Sequence, residues 1–197
     1  MDHWTLSPNV LLEWAAVVLN VAFTLLIAWN RRIGWVLGFF AGAIGVWLYA
    51  LAHTWAMSVL NGYYVAMAAY GWWSWGRTAD ERRISVQPWT FHVVVAACGL
   101  LASWLISVLL ANYLNGQYPQ WDAFVTVFSL AATWMMARKY LANWAYFIVA
   151  DSVAVWLNWR IGYDGYALLN ALYLVLSVIG LVRWGRLSRQ QEGGLSA

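Results

Sequence analysis

The chain has 197 residues, of which 63% are hydrophobic and only 10% are charged, and its mean hydropathy is +0.61. A typical soluble domain carries about 25% charged residues, so this composition excludes a soluble globular protein. The net charge of +3 does not indicate a partner nucleic acid, because the basic residues are scattered through short segments between apolar stretches.

Seven apolar stretches follow one another along the chain, and each is long enough to cross a membrane as a helix, which takes about 20 residues. The three prolines lie outside all of them, as unbroken helices require. The predicted helices cover residues 10–29, 34–52, 56–75, 91–111, 121–137, 141–158 and 164–184.

The basic residues also predict the orientation of the chain, because cytoplasmic loops of membrane proteins are enriched in Lys and Arg. Ten of the eleven basic residues lie at or after the ends of predicted helices 1, 3, 5 and 7, and only Arg160 lies on the other side. We therefore expect a multi-pass protein of the inner membrane with its N-terminus outside and its C-terminus in the cytoplasm. The ten are Arg31, Arg32, Arg77, Arg82, Arg83, Arg138, Lys139, Arg183, Arg186 and Arg189.

The second half of the chain repeats the first at a constant offset of 109 residues, without a gap. Seven of the eighteen positions in 60–77 are identical to their counterparts in 169–186. The offset pairs predicted helices 1 to 3 with helices 5 to 7. A three-helix unit ends on the opposite side of the membrane from its start, so helix 4 is needed to give both copies one orientation. The expected fold is all-α, with two parallel three-helix repeats and a substrate site at their interface near the membrane midplane.

The predicted domain organisation follows from this repeat. The first three-helix repeat and its cytoplasmic loop occupy residues 1–90, and the connector helix with its loop occupies 91–120. The second repeat is expected at 121–186, and a cytoplasmic tail at 187–197.

Polar side chains inside the predicted helices are the candidate functional residues, because a polar group in lipid needs a partner, a cavity or a ligand. Helix 6 places Trp144, Phe147 and Asp151 at i, i+3 and i+7, and Asn158 extends the same face. Two rings and a carboxylate on one face suit a flat cationic ligand. Helices 3 and 7 repeat an amide and a phenol that can bond the hydroxyls of a ribose, namely Asn61 with Tyr64 and Asn170 with Tyr173.

Structural roles are the alternative for several of these residues. Asn61 and Asn170 equally suit hydrogen bonds across a helix interface, and Trp144 equally suits an aromatic belt. A site role is favoured for Asp151, because no Lys, Arg or His is predicted within the membrane interior as its partner.

Other residues are expected to serve packing or solvation. Gly34, Gly38, Gly42 and Gly45 recur every three or four residues, which predicts close approach of helix 2 to its neighbours. The acidic residues near the outer ends of helices 1 and 5, and several tryptophans, are assigned to solvation, packing or the interfacial belt. They are Glu13, Asp122, Trp35, Trp47, Trp75, Trp156 and Trp184.

Motifs of enzymes and of cofactor sites are missing from the sequence. It has no phosphate-binding glycine loop, no paired metal ligands and no nucleophile beside a base, so we expect neither catalysis nor a cofactor or metal. The only lysine, Lys139, lies in a predicted loop, which excludes a retinal Schiff base within the membrane. The single Cys98 gives no disulfide framework.

Two stretches carry the motifs of a known family, one at the end of predicted helix 3 and one across helices 5 and 6. Their residues are Tyr70, Gly71, Trp72 and Trp75, and Trp121, Asp122, Ala137, Arg138, Lys139, Tyr140, Asn143, Trp144, Phe147 and Asp151. In these motifs, and over roughly 13–184, the chain resembles the PnuC-type vitamin transporters. The resemblance implies a SWEET-like fold of 3+1+3 helices, usually a homotrimer. It also implies facilitated diffusion of an unphosphorylated vitamin, which a cytoplasmic kinase then traps.

The family signature on helix 6 is a Trp, a second Trp three residues on, and an Asn or acidic residue four further. Trp144 matches the first position, Phe147 replaces the second ring, and Asp151 stands at the polar position. Nicotinamide riboside is the first expected substrate, because it is the founding substrate of the family. Thiamine is the alternative, since a carboxylate also suits its cationic ring, whereas neutral riboflavin suits Asp151 less.

Two hypotheses from other classes stay open at this point. A non-transporting sensor or assembly protein would bind no small ligand, and its buried polar groups would be structural. A proton-coupled carrier would use Asp151 with Glu13 or Asp122. It ranks below facilitated diffusion, because no relay partner lies within one helical turn of Asp151.

Overall fold

The computed structural model of the protein describes residues 8–76, 83–113 and 118–193. These residues form seven helices, which confirms the predicted number, and the predicted ends agree within two residues except at the end of the last helix. The helices are α1 Pro8–Ala28, α2 Gly34–Leu51, α3 Trp55–Ser74, α4 Trp89–Tyr113, α5 Pro119–Ala137, α6 Asn143–Arg160 and α7 Asp164–Gly193.

The end of α7 corrects one prediction. The helix continues to Gly193 instead of ending at residue 184, so residues 187–193 of the expected tail are helical. The prediction followed the length of the apolar stretch, but a helix does not have to end where it leaves the membrane. Residues 185–192 are mostly Arg, Leu, Gln and Glu, which favour helix, and contain no proline.

Length and hydropathy alone qualify four helices as membrane spans within the described residues, and these are α1, α2, α4 and α7. The other three, α3, α5 and α6, are 20, 19 and 18 residues long and carry more polar side chains. The lipid-facing character is clearest on α4, where many large apolar side chains are exposed. They include Val93, Val94, Leu100, Leu101, Trp104, Leu105, Val108 and Leu109.

The chain divides into two compact units, Met1–Glu81 and Arg82–Ala197. In the first unit, α2 packs against both α1 and α3. In the second unit, α4 packs against α5, α5 against α6, and α6 against α7. The connector helix α4 is therefore part of the second unit, and α6 holds the position there that α2 holds in the first.

The repeat extends to the turns between the helices. In each unit, the turn between the first and second helices of the repeat and the turn between the second and third each contain one residue in the left-handed conformation, with φ between 55° and 80°. In both α1–α2 and α5–α6, the following N–H closes the turn, Arg31 donating to Leu26 and Tyr140 to Met135. This bond ends a helix in the Schellman manner. The left-handed residues lie 109 positions apart as two pairs, Asn30 with Lys139 and His53 with Gly162.

Tryptophan packing repeats in the same register. In the first unit the Trp35 ring lies against Gly71 and meets Trp75 edge to face, with centroids 5.6 Å apart. In the second unit the Trp144 ring lies against Gly180 and meets Trp184 edge to face at 5.5 Å. All four indoles are at most 3% exposed. Trp35, Trp75 and Trp184 are thus packing residues, one of the two roles predicted for them.

The glycines of α2 lie where its neighbours come closest, which confirms the predicted close approach. A Cβ at Gly38 would lie 2.9 Å from the Phe23 ring of α1, and a Cβ at Gly42 would lie 2.9 Å from Val65 of α3. A Cβ at Gly45 would overlap the side-chain oxygen of Asn61. Any side chain at these positions would push α2 away from its neighbours.

The two units differ in where their third helix ends. At the end of α3, the Arg32 side chain donates from Nε to the Trp72 carbonyl at 2.7 Å, and its guanidinium lies 3.8 Å from the centre of the Trp72 ring. A cation bound to the last carbonyls stabilises a helix C-terminus. The counterpart of Arg32 in the second unit is Leu141, which cannot cap in this way, and α7 continues.

Candidate functional site

At several positions where α2 of the first unit has glycine, α6 carries a larger side chain. Counterparts of the glycines Gly34, Gly38, Gly42 and Gly45 on α2 are Asn143, Phe147, Asp151 and Ala154 on α6. Asp151 is the ninth of the eighteen residues of α6 and only 8% exposed. A carboxylate is thus buried at the centre of α6. The equivalent position of α2 is Gly42, so the packing of this helix pair does not require a carboxylate.

Asp151 faces α7. The hydroxyl of Ser177 donates to Oδ2 of Asp151 at 3.3 Å, and Ser177 is 2% exposed. The half-buried side chain of Tyr173 lies one turn earlier on α7, within electrostatic range of the same carboxylate. The structure therefore brings together two of the predicted site residues, Asp151 and Tyr173, and adds Ser177.

One face of α7 carries this set of residues. Positions 170, 173, 177, 180 and 184 follow the three- and four-residue spacing of a helix face that packs against a single neighbour. Contacts of the last three with α6 fix its direction, since Ser177 meets Asp151 while Gly180 and Trp184 meet Trp144. We call this set the α7 face, and it consists of Asn170, Tyr173, Ser177, Gly180 and Trp184.

Trp144 lies at one end of this interface and is fully buried, with 0% exposure. Its ring is covered by Gly180 and Trp184, as Trp35 is covered by Gly71 and Trp75 in the first unit. In this structure Trp144 is therefore a packing residue. Its predicted role in stacking on a ligand requires that α6 and α7 separate, and that role stays a prediction.

The two asparagines of the repeat make equivalent hydrogen bonds within their own helices. Asn61 donates from Nδ2 to the Met57 carbonyl at 2.9 Å, and Asn170 donates to the Tyr166 carbonyl at 2.8 Å. Each bond uses one of the two N–H groups of the amide, so the second N–H and the amide oxygen are the groups that suit a ligand hydroxyl. The oxygen of Asn61 lies against Gly45 of α2.

The remaining predicted site residues are half-buried. Phe147 lies on α6 one turn before Asp151, and Asn158 lies two turns after it, with its amide bonded to the Ala154 carbonyl at 2.8 Å. Tyr64 of α3 contacts the ring of Tyr63 at 5.7 Å. Phe147 and Asp151 are about one helical turn apart on α6, so the two can contact the same small ligand.

Two acidic residues lie near helix ends. Glu13 and Asp122 are both exposed, and Asp122 lies in the first turn of α5, where a negative charge is favourable. Within the described residues, no cluster of His, Cys, Asp or Glu is suited to a metal ion. Arg77 and Arg82, which contribute to the predicted orientation, lie outside the described residues.

An open groove of about 250 Å³ lies between α5 and α6, away from the α7 face. Its walls are Trp121, Ser152, Val153 and Trp156, with the two indoles edge to face at 5.5 Å. It is shallow and contains none of the predicted site residues, so we do not assign the ligand to it.

Two buried polar residues of this helix pair, Ser177 and Asn143, were not predicted as site residues from the sequence. Asn143 is 0% exposed and donates from Nδ2 to the Tyr140 carbonyl at 2.6 Å. Its counterpart is glycine, and the counterpart of Ser177 is Ala68, so both are polar replacements of small residues in the repeat. Comparison of the two halves for differences, in addition to identities, contained this signal.

Comparison with known proteins bears on this architecture. The family described as nicotinamide mononucleotide transporter matches residues 10–186, which is most of the chain. The chain belongs to this transporter family. The resemblance to PnuC-type proteins is thereby confirmed, and the chain is a multi-pass membrane protein of a family of transporters.

Individual relatives are distant but cover nearly the full length. The chain is 23% identical to the riboflavin/roseoflavin transporter RibM of Streptomyces davaonensis, over 92% of this chain and 96% of that protein. It is 22% identical to the nicotinamide riboside transporter PnuC of Escherichia coli, over 86% and 83%. It is 27% identical to PnuC of Neisseria mucosa, over 92% and 75%.

A solved structure shares the fold. The crystal structure of the vitamin B3 transporter PnuC superposes with a TM-score of 0.73, covering 95% of this chain and 86% of that one at 20% identity. This likeness confirms the seven-helix all-α architecture of the family. The parallel, SWEET-like arrangement of the two repeats stays a prediction.

Proposed function

We propose that this chain carries an unphosphorylated, cationic vitamin precursor across the inner membrane by facilitated diffusion, and that the substrate is nicotinamide riboside. The observation that carries the proposal is the carboxylate of Asp151, buried at the middle of α6 against the α7 face. A lone carboxylate in a membrane helix is unfavourable unless a cation or a cavity meets it.

The internal repeat supports a ligand role over a structural one. The same helix pair in the first unit packs with Gly42 in place of Asp151, so the carboxylate is not required for the fold. Because a charge without a packing role is a net loss of stability, its presence points to binding. The pyridinium ring of nicotinamide riboside supplies a positive charge to pair with Asp151.

The neighbouring residues provide the rest of the proposed site. Phe147, one turn from Asp151, offers a ring face to a flat heterocycle, and Tyr173 offers a hydroxyl. The amide oxygens of Asn61 and Asn170, together with Tyr64 and Asn158, are proposed to bond the ribose hydroxyls. Trp144 joins the stacking surface only in a state in which α6 and α7 have parted.

Thiamine and riboflavin are the competing substrates. Thiamine is also a cation and suits Asp151 for the same reason. Riboflavin is named for RibM, a relative aligned over 92% of this chain, so it is the second candidate. Its neutral ring gains nothing from a carboxylate charge, which places it behind the two cations.

The cellular arrangement completes the proposal. The bias of basic residues supports an outside N-terminus and a cytoplasmic C-terminus. We propose a homotrimer whose protomers each rock their two repeats in alternating access. A cytoplasmic kinase would phosphorylate the vitamin on entry, without direct contact, and so make uptake irreversible.

Ligand titration followed by tryptophan fluorescence tests the proposal, because the chain has 17 Trp. The purified protein is titrated in parallel with nicotinamide riboside, thiamine, riboflavin and their phosphorylated forms. Free tryptophan titrated with each compound corrects for light absorbed by the ligand. We expect saturable quenching by nicotinamide riboside and none by its phosphorylated form.

The other outcomes each have a meaning. Saturation by thiamine alone would move the substrate to the alternative, and saturation by riboflavin alone would show that the charge of Asp151 does not select the ligand. Silence from all the compounds would contradict the transport proposal and favour a non-transporting membrane protein.

A further inference from the structure

We propose that Ser177 is a positioning residue for the ligand site: its hydroxyl holds one oxygen of Asp151 so that the other faces the cation. The inference rests on the proposed function and deepens it, because it assigns the orientation of the carboxylate to a residue of the neighbouring helix.

The hydrogen bond of Ser177 joins its hydroxyl to a charged side chain on another helix. Hydroxyls within membrane helices commonly bond to a carbonyl of their own helix, one turn back. Ser152 bonds Ile148 in this way at 2.7 Å, and Thr133 bonds Ser129 at 2.8 Å. Ser177 instead reaches from α7 to Oδ2 of Asp151 on α6. Its bonding capacity is directed at the carboxylate.

The repeat shows that this bond is not needed to hold the helices together. The counterparts of Asp151 and Ser177 are Gly42 and Ala68, so the first unit lacks both the carboxylate and the hydroxyl. The Trp–Gly–Trp packing beside them is nevertheless the same in the two units. The acidic residue and its hydroxyl donor therefore occur together in one unit and are absent together from the other.

Geometry gives the consequence for the ligand. A carboxylate held through Oδ2 rotates less freely about its side chain, which leaves Oδ1 as the oxygen for the ligand. Fixing a charged group before the ligand arrives reduces the entropy lost on binding. Without the hydroxyl, Asp151 keeps its charge but loses this orientation.

The test compares Ser177→Ala with a matched serine variant supplied by the other unit. Ser58 is also buried and also bonds across two helices, donating to the Val46 carbonyl at 3.0 Å, but its acceptor is backbone. Its counterpart in the second unit is Ala167, so Ser58→Ala is as compatible with the fold as Ser177→Ala. Both variants lose one interhelical serine bond, and only one of these bonds involves Asp151.

The readout is the dissociation constant of the vitamin that quenches the wild-type protein, measured by the fluorescence titration. Ser177→Ala should weaken it about ten-fold, as expected for a hydrogen bond to a charged group, and Ser58→Ala less than about two-fold. Ser177→Thr keeps the hydroxyl and should restore most of the affinity. In an Asp151→Asn background, adding Ser177→Ala should have almost no further effect, because the charge it positions is gone.

Three results would overturn the inference. Equal affinities of Ser177→Ala and wild type would show that the hydroxyl is dispensable. Equal losses in the two alanine variants would show a general packing effect, as would an undiminished loss in the Asp151→Asn background. If the wild-type protein bound none of the vitamins, the proposed function itself would fail and this inference with it.

Discussion

Asp151 is a buried carboxylate, and the proposed function depends on it. Moving a carboxylate from water into a protein interior costs on the order of several kcal/mol, which interactions with a partner have to offset. Ser177 supplies one hydrogen bond, and Tyr173 lies within electrostatic range. Neither carries a positive charge, so a cationic ligand would complete the interaction.

Replacing Asp151 tests this view against another acidic residue. Asp151→Ala should weaken vitamin uptake by about ten- to hundred-fold, because a charge-assisted interaction of about 1.5–3 kcal/mol is lost. Glu13→Ala should change uptake less than about two-fold, since Glu13 is exposed. Initial rates of labelled vitamin uptake into proteoliposomes measure both, at equal protein content. Equal effects of the two substitutions would show that the acidic site is misassigned.

At the scale of helices, the pairing of a flat indole with a glycine sets how closely the second and third repeat helices approach. The Trp144 ring occupies the space that a side chain at position 180 would need, since a Cβ there would lie 2.5 Å from its Cδ2 atom. The same arrangement at Trp35 and Gly71 indicates that both units use one packing solution.

Substitutions at two glycines of α7 distinguish the effect of close helix packing on stability from the effect of helix propensity. Gly180→Ala should lower stability by about 1–3 kcal/mol, because the added methyl meets a fully buried ring. A Cβ at Gly185 would meet no other atom within 4 Å, so Gly185→Ala should be neutral or stabilising by up to about 1 kcal/mol. Thermal unfolding in one detergent, followed by tryptophan fluorescence, measures both. A Gly180→Ala variant as stable as wild type would contradict the packing account.

At the scale of the whole molecule, two units with the same turns and packing differ in the polarity of their central helix. The first unit has glycines where the second has Asn143, Phe147 and Asp151. One unit is thus specialised for packing, and the other carries the polar groups, which favours one ligand per chain. Glu13 and Asp122 are both exposed, whereas Asp151 is buried.

Facilitated diffusion makes a prediction about the energy source. Uptake into proteoliposomes preloaded with unlabelled vitamin should proceed by exchange, and it should be unchanged within about two-fold when a protonophore collapses the proton gradient. A substrate gradient alone supplies the driving force in this mechanism. A strong decrease on adding the protonophore would instead support the proton-coupled carrier, with Asp151 as the titrating group.

Much of the architecture was predictable from the sequence. The number of helices follows from the seven apolar stretches, because the thickness of the bilayer fixes the length of a span. The gapless offset of 109 residues paired the turns and tryptophans that the structure shows in equivalent positions. The position of Asp151 on α6 also followed directly, since a charge in an apolar stretch is visible without a fold.

Only the tertiary structure decided what surrounds that charge. Helical spacing placed Trp144 and Asp151 on one face, but it could not show that Gly180 and Trp184 cover the indole completely. The bond from Ser177 depends on the register between α6 and α7, which distant residues set through packing. A single sequence determines which residues share a helix face, while the contact between two faces depends on the approach of helices far apart in the chain. That approach is what makes Trp144 a packing residue here and Ser177 a partner of Asp151.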